Sequence, residues 1–589
     1  MGACVLFTVF YVTVLGTNIY ISESDVIFSK VLIGLGILAV LNAILHINTI
    51  KPHILDYIAI LWFVYATFNY YFLSIYPAGK DYINICSTFI LYLELRLLLI
   101  GSRSLMKYTV LLFACFGLYE AILGLMQLYG FSQSNHNLFK ITGTLFNPGP
   151  YSAYLAMVFA VCGVYIYKRR KLYTLSNFFV IKSFKNPINY YSIINKFIFV
   201  ICTLAISTII IALPATLSRA AFVSIFAVVI VLLFKEYKKI IVPALILMSI
   251  AGVILYFFKQ DSANGRIFMW IISVLIIKNN LLFGTGIGGY QHGYSLAQVE
   301  FFKNNPSSNF VDVAGSPEFA FNDILFVGAE QGIIGLGLFI AIIIISVQCL
   351  LRYKTELGYG WLALLVVSLF SYPFYLLPYR VFAVVFVAMA ASCPMQQKWH
   401  SKLLIKKVAK IQFYKLTACV VIVVMSIILL NKIEQKFEAN KAFTYSNYAE
   451  TDYIEDIYLD WINIMGDNPD FLFRYGKKLN RLGLYNESNA VLRKSALICN
   501  DNIIYIIMGN NYKALKCYDL AENAYKTASQ MEPRKMYPLY LLLQLYETWN
   551  KQEKGKDVAK KILKYNPKNI FTATQEMKEY AKKYLDNTN

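Results

Sequence analysis

The sequence predicts an all-α chain in two parts: a polytopic helical membrane protein of about 12–13 spans, then a soluble α-solenoid. Three observations carry this. The composition is 58% hydrophobic and only 15% charged, with a mean hydropathy of +0.52. Apolar runs of about 20 residues, the length a bilayer core demands, recur from residue 1 to about residue 431. Beyond residue 450 the chain turns polar and lysine-rich and repeats itself at an offset of 33 residues.

Taken in order, the apolar runs lie near 1–20, 28–46, 54–76, 83–100, 105–129, 150–167, 197–215, 217–234, 239–257, 330–352, 359–377, 379–394 and 413–431. The loops between them alternate in charge. One set carries Lys51; Arg103 and Lys107; Lys168 to Lys171; Lys235, Lys238 and Lys239; Arg352 and Lys354; and Lys402, Lys406, Lys407 and Lys410. The other set carries Glu23 and Asp25, Lys80 and Asp81, residues 130–149, residues 258–329 and the Leu-Leu-Pro-Tyr-Arg turn. Basic loops stay in the cytoplasm, so the first set and the N-terminus are expected there, and an odd number of spans puts the tail outside. The net charge of +21 is thereby explained by topology and not by a nucleic-acid partner. The first 16 residues lack the basic start of a cleavable signal peptide. The ten cysteines are scattered without a C-x-x-C pair, and most lie in apolar runs, which points to small buried hydrophobes.

In the tail, Tyr485, Ser488, Leu492, Ser495 and Asn500 correspond to Tyr518, Ala521, Tyr525, Ala528 and Pro533, and Gly476 corresponds to Gly509. Small residues at these points let two helices of a hairpin pack closely. The pattern resembles a tetratricopeptide (TPR) array of about three units, the last ending at Pro567. Such arrays usually bind extended peptides or partner proteins. The boundaries expected are a membrane domain at 1–432, a linker at 433–450 and the helical repeats at 451–589.

The longest interruption between spans, residues 258–329, organises the rest, because long loops on rigid membrane scaffolds are where chemistry is placed. Arg219 sits where one span ends and the next begins on the outer side, and Arg266 lies near the start of the long loop. Cations on the outer face oppose the usual charge bias. Two of them converging on a cleft suit phosphate or pyrophosphate oxygens, whereas snorkelling to headgroups is the alternative for Arg219. Arg380 is a third candidate, with interface anchoring as its other reading. The segment Gly284–Tyr290 is glycine-rich but lacks a βαβ context, so it reads as a tight turn and not a dinucleotide fingerprint. Asn322, Asp323 and Glu330 stand on the approach to a span as catalytic candidates: a carboxylate there could deprotonate an acceptor hydroxyl, with solvated loop carboxylates or helix caps as the plainer readings. His292 has nothing beside it in sequence to suggest chemistry.

Four stretches in order resemble the O-antigen ligase family, which includes O-antigen polymerases and bacterial protein O-oligosaccharyltransferases. They are GTLFNPGPYSAYLAM (143–157), TLSRAAFVSIF, GRIFMWIISVLIIKNNLLFGTGIGGY and AFNDILFVGAEQGIIGLGLF, and the resemblance covers about residues 80–395 with the long loop between the last two. The resemblance implies a metal-independent, cofactor-free, GT-C-like glycosyltransferase in a bacterial inner membrane. It would take a glycan from an undecaprenyl-pyrophosphate carrier at the periplasmic face and pass it to lipid A–core, a growing polymer or protein Ser/Thr. The family's pyrophosphate-holding arginines correspond to Arg219 and Arg266. One departure stands out: the family's His before Asn is Phe321 here, which suggests Glu330 as the substitute, with Glu318 and Asp323 behind it. The tail would then recruit a protein partner. A non-catalytic membrane scaffold organised by the tail is the rival reading.

Overall fold

The computed structural model describes residues 2–15, 21–45, 52–74, 79–99, 103–173, 187–234, 243, 260–306, 308–393, 408–448, 454–565 and 571–588. The described residues form helices and connecting loops, with no strand among them. The membrane part comprises α1 (Gly2–Val12), α2 (Glu23–Leu45), α3 (Ile54–Phe68), α4 (Gly79–Leu98), α5 (Arg103–Leu128), α6 (Pro148–Arg169), α7 (Pro187–Ala215), α8 (Arg219–Phe234), α9 (Gln260–Asn279), α10 (Tyr290–Asn304), α11 (Asp323–Arg352), α12 (Leu357–Ser368), α13 (Leu377–Ala391) and α14 (Val408–Tyr448). Among the described residues, five helices carry a span long and apolar enough to cross a membrane: Glu23–Asn42, Leu105–Leu128, Pro148–Arg169, Ile193–Ala215 and Asp323–Arg352. This is a polytopic helical membrane protein. The expected span at 239–257 falls outside the described residues.

Local chemistry sets where these helices begin. Asn147, with extended backbone, accepts from the Gly149 amide, and Pro148 supplies the pre-set first turn of α6. His53 and Asp56 form a capping box at α3, and Asp56 also receives Arg96 at 2.7 Å and the Tyr92 hydroxyl at 2.6 Å. The bundle core is aromatic, with Phe10, Phe113, Tyr154 and Phe382 in edge or tilted contacts. Helices α5 and α6 touch at Gly117, where a Cβ would fall 2.3 Å from Val158. Two loops of the basic set meet at one end of the bundle. Arg169 and Lys168 pair with Glu356 at 2.9 and 3.8 Å, and Lys168 donates to the Lys354 carbonyl at 2.5 Å.

The long loop is mostly helical (α9 and α10) and ends on α11, which starts at Asp323 and not at the expected residue 330. The expected linker 433–450 is also corrected as far as residue 448. It continues α14 as helix, because residues 413–448 contain neither glycine nor proline to stop it.

The tail consists of α15 (Ile454–Met465), α16 (Pro469–Arg481), α17 (Tyr485–Ile498), α18 (Asn502–Ala514), α19 (Tyr518–Met531), α20 (Tyr537–Thr548), α21 (Gln552–Lys564) and α22 (Thr572–Thr588). Successive helices pack as hairpins, α16 on α17, α18 on α19 and α20 on α21. The positions that repeat in sequence are the ones that pack: Ser488, Leu492, Ser495, Ala521, Tyr525 and Ala528 are all fully buried. A Cβ at Gly509 would meet the Tyr525 ring at 2.4 Å, and one at Gly476 would meet Leu492 at 2.6 Å, so each of these two hairpins closes over a glycine. The end of the third repeat, at Pro567, lies outside the described residues.

Two contacts seat this solenoid on the membrane part. Phe443 of α14 packs edge-on against Tyr458 and Phe471, which carries α14 into the first hairpin. On the other side α10 presents three side chains three residues apart. His292 bonds the Ala496 carbonyl at 2.9 Å, Ser295 donates to the Asn500 carbonyl at 2.7 Å, and Gln298 donates to the Met531 carbonyl at 2.7 Å. The carbonyls belong to the ends of two successive hairpins, so the ladder on α10 matches the repeat.

Candidate functional site

The glycine-rich turn and α11 are locked together through main chain. Helix α11 is broken at Gly332, whose backbone (φ 62°, ψ −168°) belongs to a region that only glycine occupies comfortably. On either side of the break, the Thr285 and Gly286 amides donate to the Ala329 and Glu330 carbonyls at 2.9 Å, and Ile333 N–H donates to the Leu281 carbonyl at 2.9 Å. A Cβ at Gly332 would sit 2.3 Å from the Leu282 carbonyl oxygen. Gly284, Gly286 and Gly288 all have positive φ, as the tight-turn reading of this segment requires. We expect Gly332→Ala to cost at least about 2 kcal/mol of stability from strain and overlap combined. Thermal unfolding in detergent should show it as a clear drop in Tm, together with loss of activity.

Helix α3 supplies the other half of the clamp. It passes into a π-helical turn, Asn69–Leu73, of the kind frequent at functional sites. Asn69 donates to the Phe283 carbonyl and accepts from the Ile287 amide, both at 2.9 Å, and the Tyr65 hydroxyl donates to the Gln331 carbonyl at 2.6 Å. Neither residue stood out in the sequence. The one available signal was Asn69 itself, a polar side chain inside an apolar run, here fully buried.

Glu330 is buried (4% exposed), and its Oε1 accepts the Gly288 amide at 2.9 Å and the Tyr290 amide at 3.4 Å. It thus holds the glycine turn and the start of α10. Asp323 is buried as well, its Oδ2 accepting the Phe374 amide at 3.3 Å. Asn322 caps α11: its Oδ1 accepts from the Ile324 and Leu325 amides at 3.0 and 3.1 Å. That oxygen is committed to the helix end, which favours the cap among the readings the sequence left open. His292 is committed to the solenoid.

These groups surround a cavity of about 210 Å3. Its charged lining is Asp81, Asp323, Glu330 and Arg380, and the rest of its wall is largely apolar, with Phe89, Ile342 and Val387 among the side chains. Along α4 alone, from Asp81 to Tyr92, it covers about 16 Å, half the thickness of a bilayer core. Arg380 is buried (8% exposed), and its Nε and Nη1 meet no hydrogen-bond partner among the described residues. The Asp25 and Asp81 carboxylates act on its charge from nearby, yet these two nitrogens remain open to a further acceptor.

Arg219 and Arg266 are neighbours, close enough for the charge of Arg219 to act on Arg266. Arg219 reaches the Ser262 hydroxyl at 3.4 Å. Burial first, then the neighbouring Arg219 cation, push the pKa of Arg266 below the usual guanidinium value. The Arg266 guanidinium lies over the Phe321 ring, 5.3 Å from its centroid, and Phe321 lines the cavity. Phe321 is held at φ 50° before the cap of α11, its ring edge-on to Tyr372 at 5.1 Å. The ring at this position therefore supports an arginine through its π-face. Arg380, Glu330 and Asp323 thus line the cavity itself, and Arg266 stands behind Phe321 on its wall with Arg219 as its neighbour. Among the described residues no cluster of three or more His, Cys, Asp or Glu is placed to hold a metal ion.

The first stretch of the resemblance, 143–157, is a short partly buried loop that runs into α6 at Pro148. The Glu120 carboxylate accepts the Thr144 hydroxyl and amide at 2.5 and 3.1 Å, Gln127 binds the Gly143 backbone, and the Tyr379 hydroxyl donates to the Pro150 carbonyl next to Arg380.

Residues 204–340 match the family model described as O-antigen ligase. The matched stretch contains Arg219, Arg266, the glycine turn, Phe321, Asn322, Asp323 and Glu330, while Arg380 lies beyond it. No curated protein matches the chain.

Proposed function

Since the chain carries a domain of the O-antigen ligase family, whose members are enzymes acting on lipid-linked glycans, we propose that it transfers a glycan from an undecaprenyl-pyrophosphate carrier to an acceptor hydroxyl at the outer face of the membrane. One observation carries the reading: Arg380 lines an apolar cavity, buried with two guanidinium nitrogens unbonded among the described residues, while Arg266, with Arg219 as its neighbour, lies over Phe321 on the cavity wall. An isoprenoid pyrophosphate has that same division, an apolar chain below and a strongly anionic head above.

In this reading Arg219, Arg266 and Arg380 bind the pyrophosphate and stabilise the charge that grows on it as the glycosidic bond breaks. Arginine forks suit phosphate oxygens better than lysine would, and Phe321 holds one fork in place. The acceptor oxygen bonds to the anomeric carbon as that carbon's bond to pyrophosphate breaks, the electron pair leaves with the pyrophosphate, and the hydroxyl proton passes to Glu330. Asp323 supports the geometry from the buried start of α11. The basic loops face the cytoplasm, and the solenoid, a TPR-type array, stands in the periplasm, where it meets a partner.

Deleting the gene in its host tests this directly. We expect the lipid-linked glycan to accumulate, and complementation with the wild-type chain to clear it. Profiling surface glycolipid and envelope glycoproteins in the same strains assigns the acceptor: loss of long chains with the core retained indicates ligation to glycolipid, and loss of glycoproteins alone indicates transfer to protein. A deletion strain with an unchanged donor pool and unchanged products would defeat the enzymatic reading in favour of a scaffold.

A further inference from the structure

A second cavity, of about 150 Å3, lies where the bundle and the solenoid meet. Its walls come from distant parts of the chain: Lys80 at the start of α4, Gln291 on α10, Lys436 and Asn440 on α14, and the turn from Asp467 that opens α16. It adjoins the membrane cavity, since Asp81, Phe319, Phe326, Glu330 and Tyr375 line both. A molecule in either cavity therefore reaches Glu330.

The two cavities differ in chemistry. The first is walled mostly by apolar side chains; the second adds several charged and amide groups to a wall of aliphatic and aromatic side chains. Its carboxylates are Asp81, Glu318, Glu330 and Asp467, against the two ammonium groups of Lys80 and Lys436. Lys436 is held by both oxygens of Asp467, which leaves the formal charge of the remainder negative. Lys80 lies over the Tyr375 ring at 5.6 Å, and the rings of Phe319 and Tyr375 stand 4.4 Å apart between centroids. A phosphate or carboxylate would find one ammonium partner here, Lys80, against three carboxyl groups. A neutral ring bearing several hydroxyls would find carboxylate acceptors, amide and ammonium donors, and aromatic faces for its C–H surface.

We propose that this junction cavity is the acceptor subsite, taking the uncharged, polyhydroxylated end of a glycan with one hydroxyl directed at Glu330. The proposal rests on the glycosyl-transfer reading above and adds to it the class of acceptor and the contribution of the solenoid, which closes one wall. Gln291 and Asn440 line only this cavity, away from the arginines, and so separate acceptor binding from donor binding.

The test uses the full chain in lipid nanodiscs with lipid-linked donor from its own host. Three probe acceptors are supplied: an alkyl glycoside ending in a neutral disaccharide, the same glycoside carrying a phosphate, and a Ser/Thr peptide. In Gln291→Leu and in Asn440→Trp, the KM for the neutral glycoside should rise about tenfold, the weight of a lost substrate hydrogen bond, while donor KM and Tm hold. The phosphorylated glycoside and the peptide should be poor acceptors of the wild type. An unchanged acceptor KM in both variants, or a preference for the phosphorylated probe or the peptide, overturns the proposal. A wild-type chain that releases no glycan from the donor at all overturns the glycosyl-transfer reading instead, and that result is seen before any variant is made.

Discussion

Arg219→Ala combined with Arg266→Ala should lower glycan transfer by at least about 100-fold, the usual consequence of removing a donor aimed at developing negative charge. The two guanidinium groups sit close enough for each to feel the other's charge, and Arg266 is held over Phe321. Packing like charges this way costs free energy, which an arriving anion offsets. The variant should therefore be at least as heat-stable as the wild type while losing turnover, whereas breaking a structural ion pair would lower stability. Single lysine replacements refine the result. They keep charge but lose the planar fork, so an intermediate loss would indicate two-pronged phosphate contacts. Membranes carrying each variant, assayed for donor consumption alongside a Tm measurement, give both readouts. A double-alanine chain that transfers at the wild-type rate would remove these residues from the mechanism.

Glu330→Gln should reduce kcat by about 10²–10⁴-fold, the range for losing a positioned proton acceptor. The amide keeps an oxygen where Glu330 Oε1 accepts the Gly288 and Tyr290 amides, so the glycine turn and the start of α10 stay in place. Tm should then change little. Glu330→Ala removes the clamp as well and should lower Tm in addition to turnover. Comparing the two substitutions separates the carboxylate's chemistry from its role as a staple. If Glu330→Gln turns over normally, the proton has another destination, and Glu330 is a structural residue only.

Much of this site was legible in the sequence because its signals are local. Arginines at span ends, a cluster of glycines after an apolar helix, and a polar Asn-Asp pair before a span each carry their meaning within a few residues. The illegible part depends on partners far away in sequence. The break at Gly332 exists because the Leu282 carbonyl comes within 2.3 Å of where its Cβ would be, some fifty positions upstream. Asn69 matters because it bridges the Phe283 carbonyl and the Ile287 amide. The role of Phe321 is visible only once Arg266 is seen above it. The linker expected at 433–450 failed for another reason: a drop in hydrophobicity marks where a helix leaves the membrane, and says nothing of where the helix stops.

The ladder between α10 and the solenoid has an evolutionary consequence. On the solenoid side these three bonds of His292, Ser295 and Gln298 go to main-chain carbonyls, those of Ala496, Asn500 and Met531. Every residue type carries that same carbonyl, proline included. Mutational drift across the outward faces of the hairpins can therefore leave these bonds intact. A gene lineage can re-tailor its repeats to new envelope neighbours while the anchorage persists, provided the hairpins keep their length and their small residues.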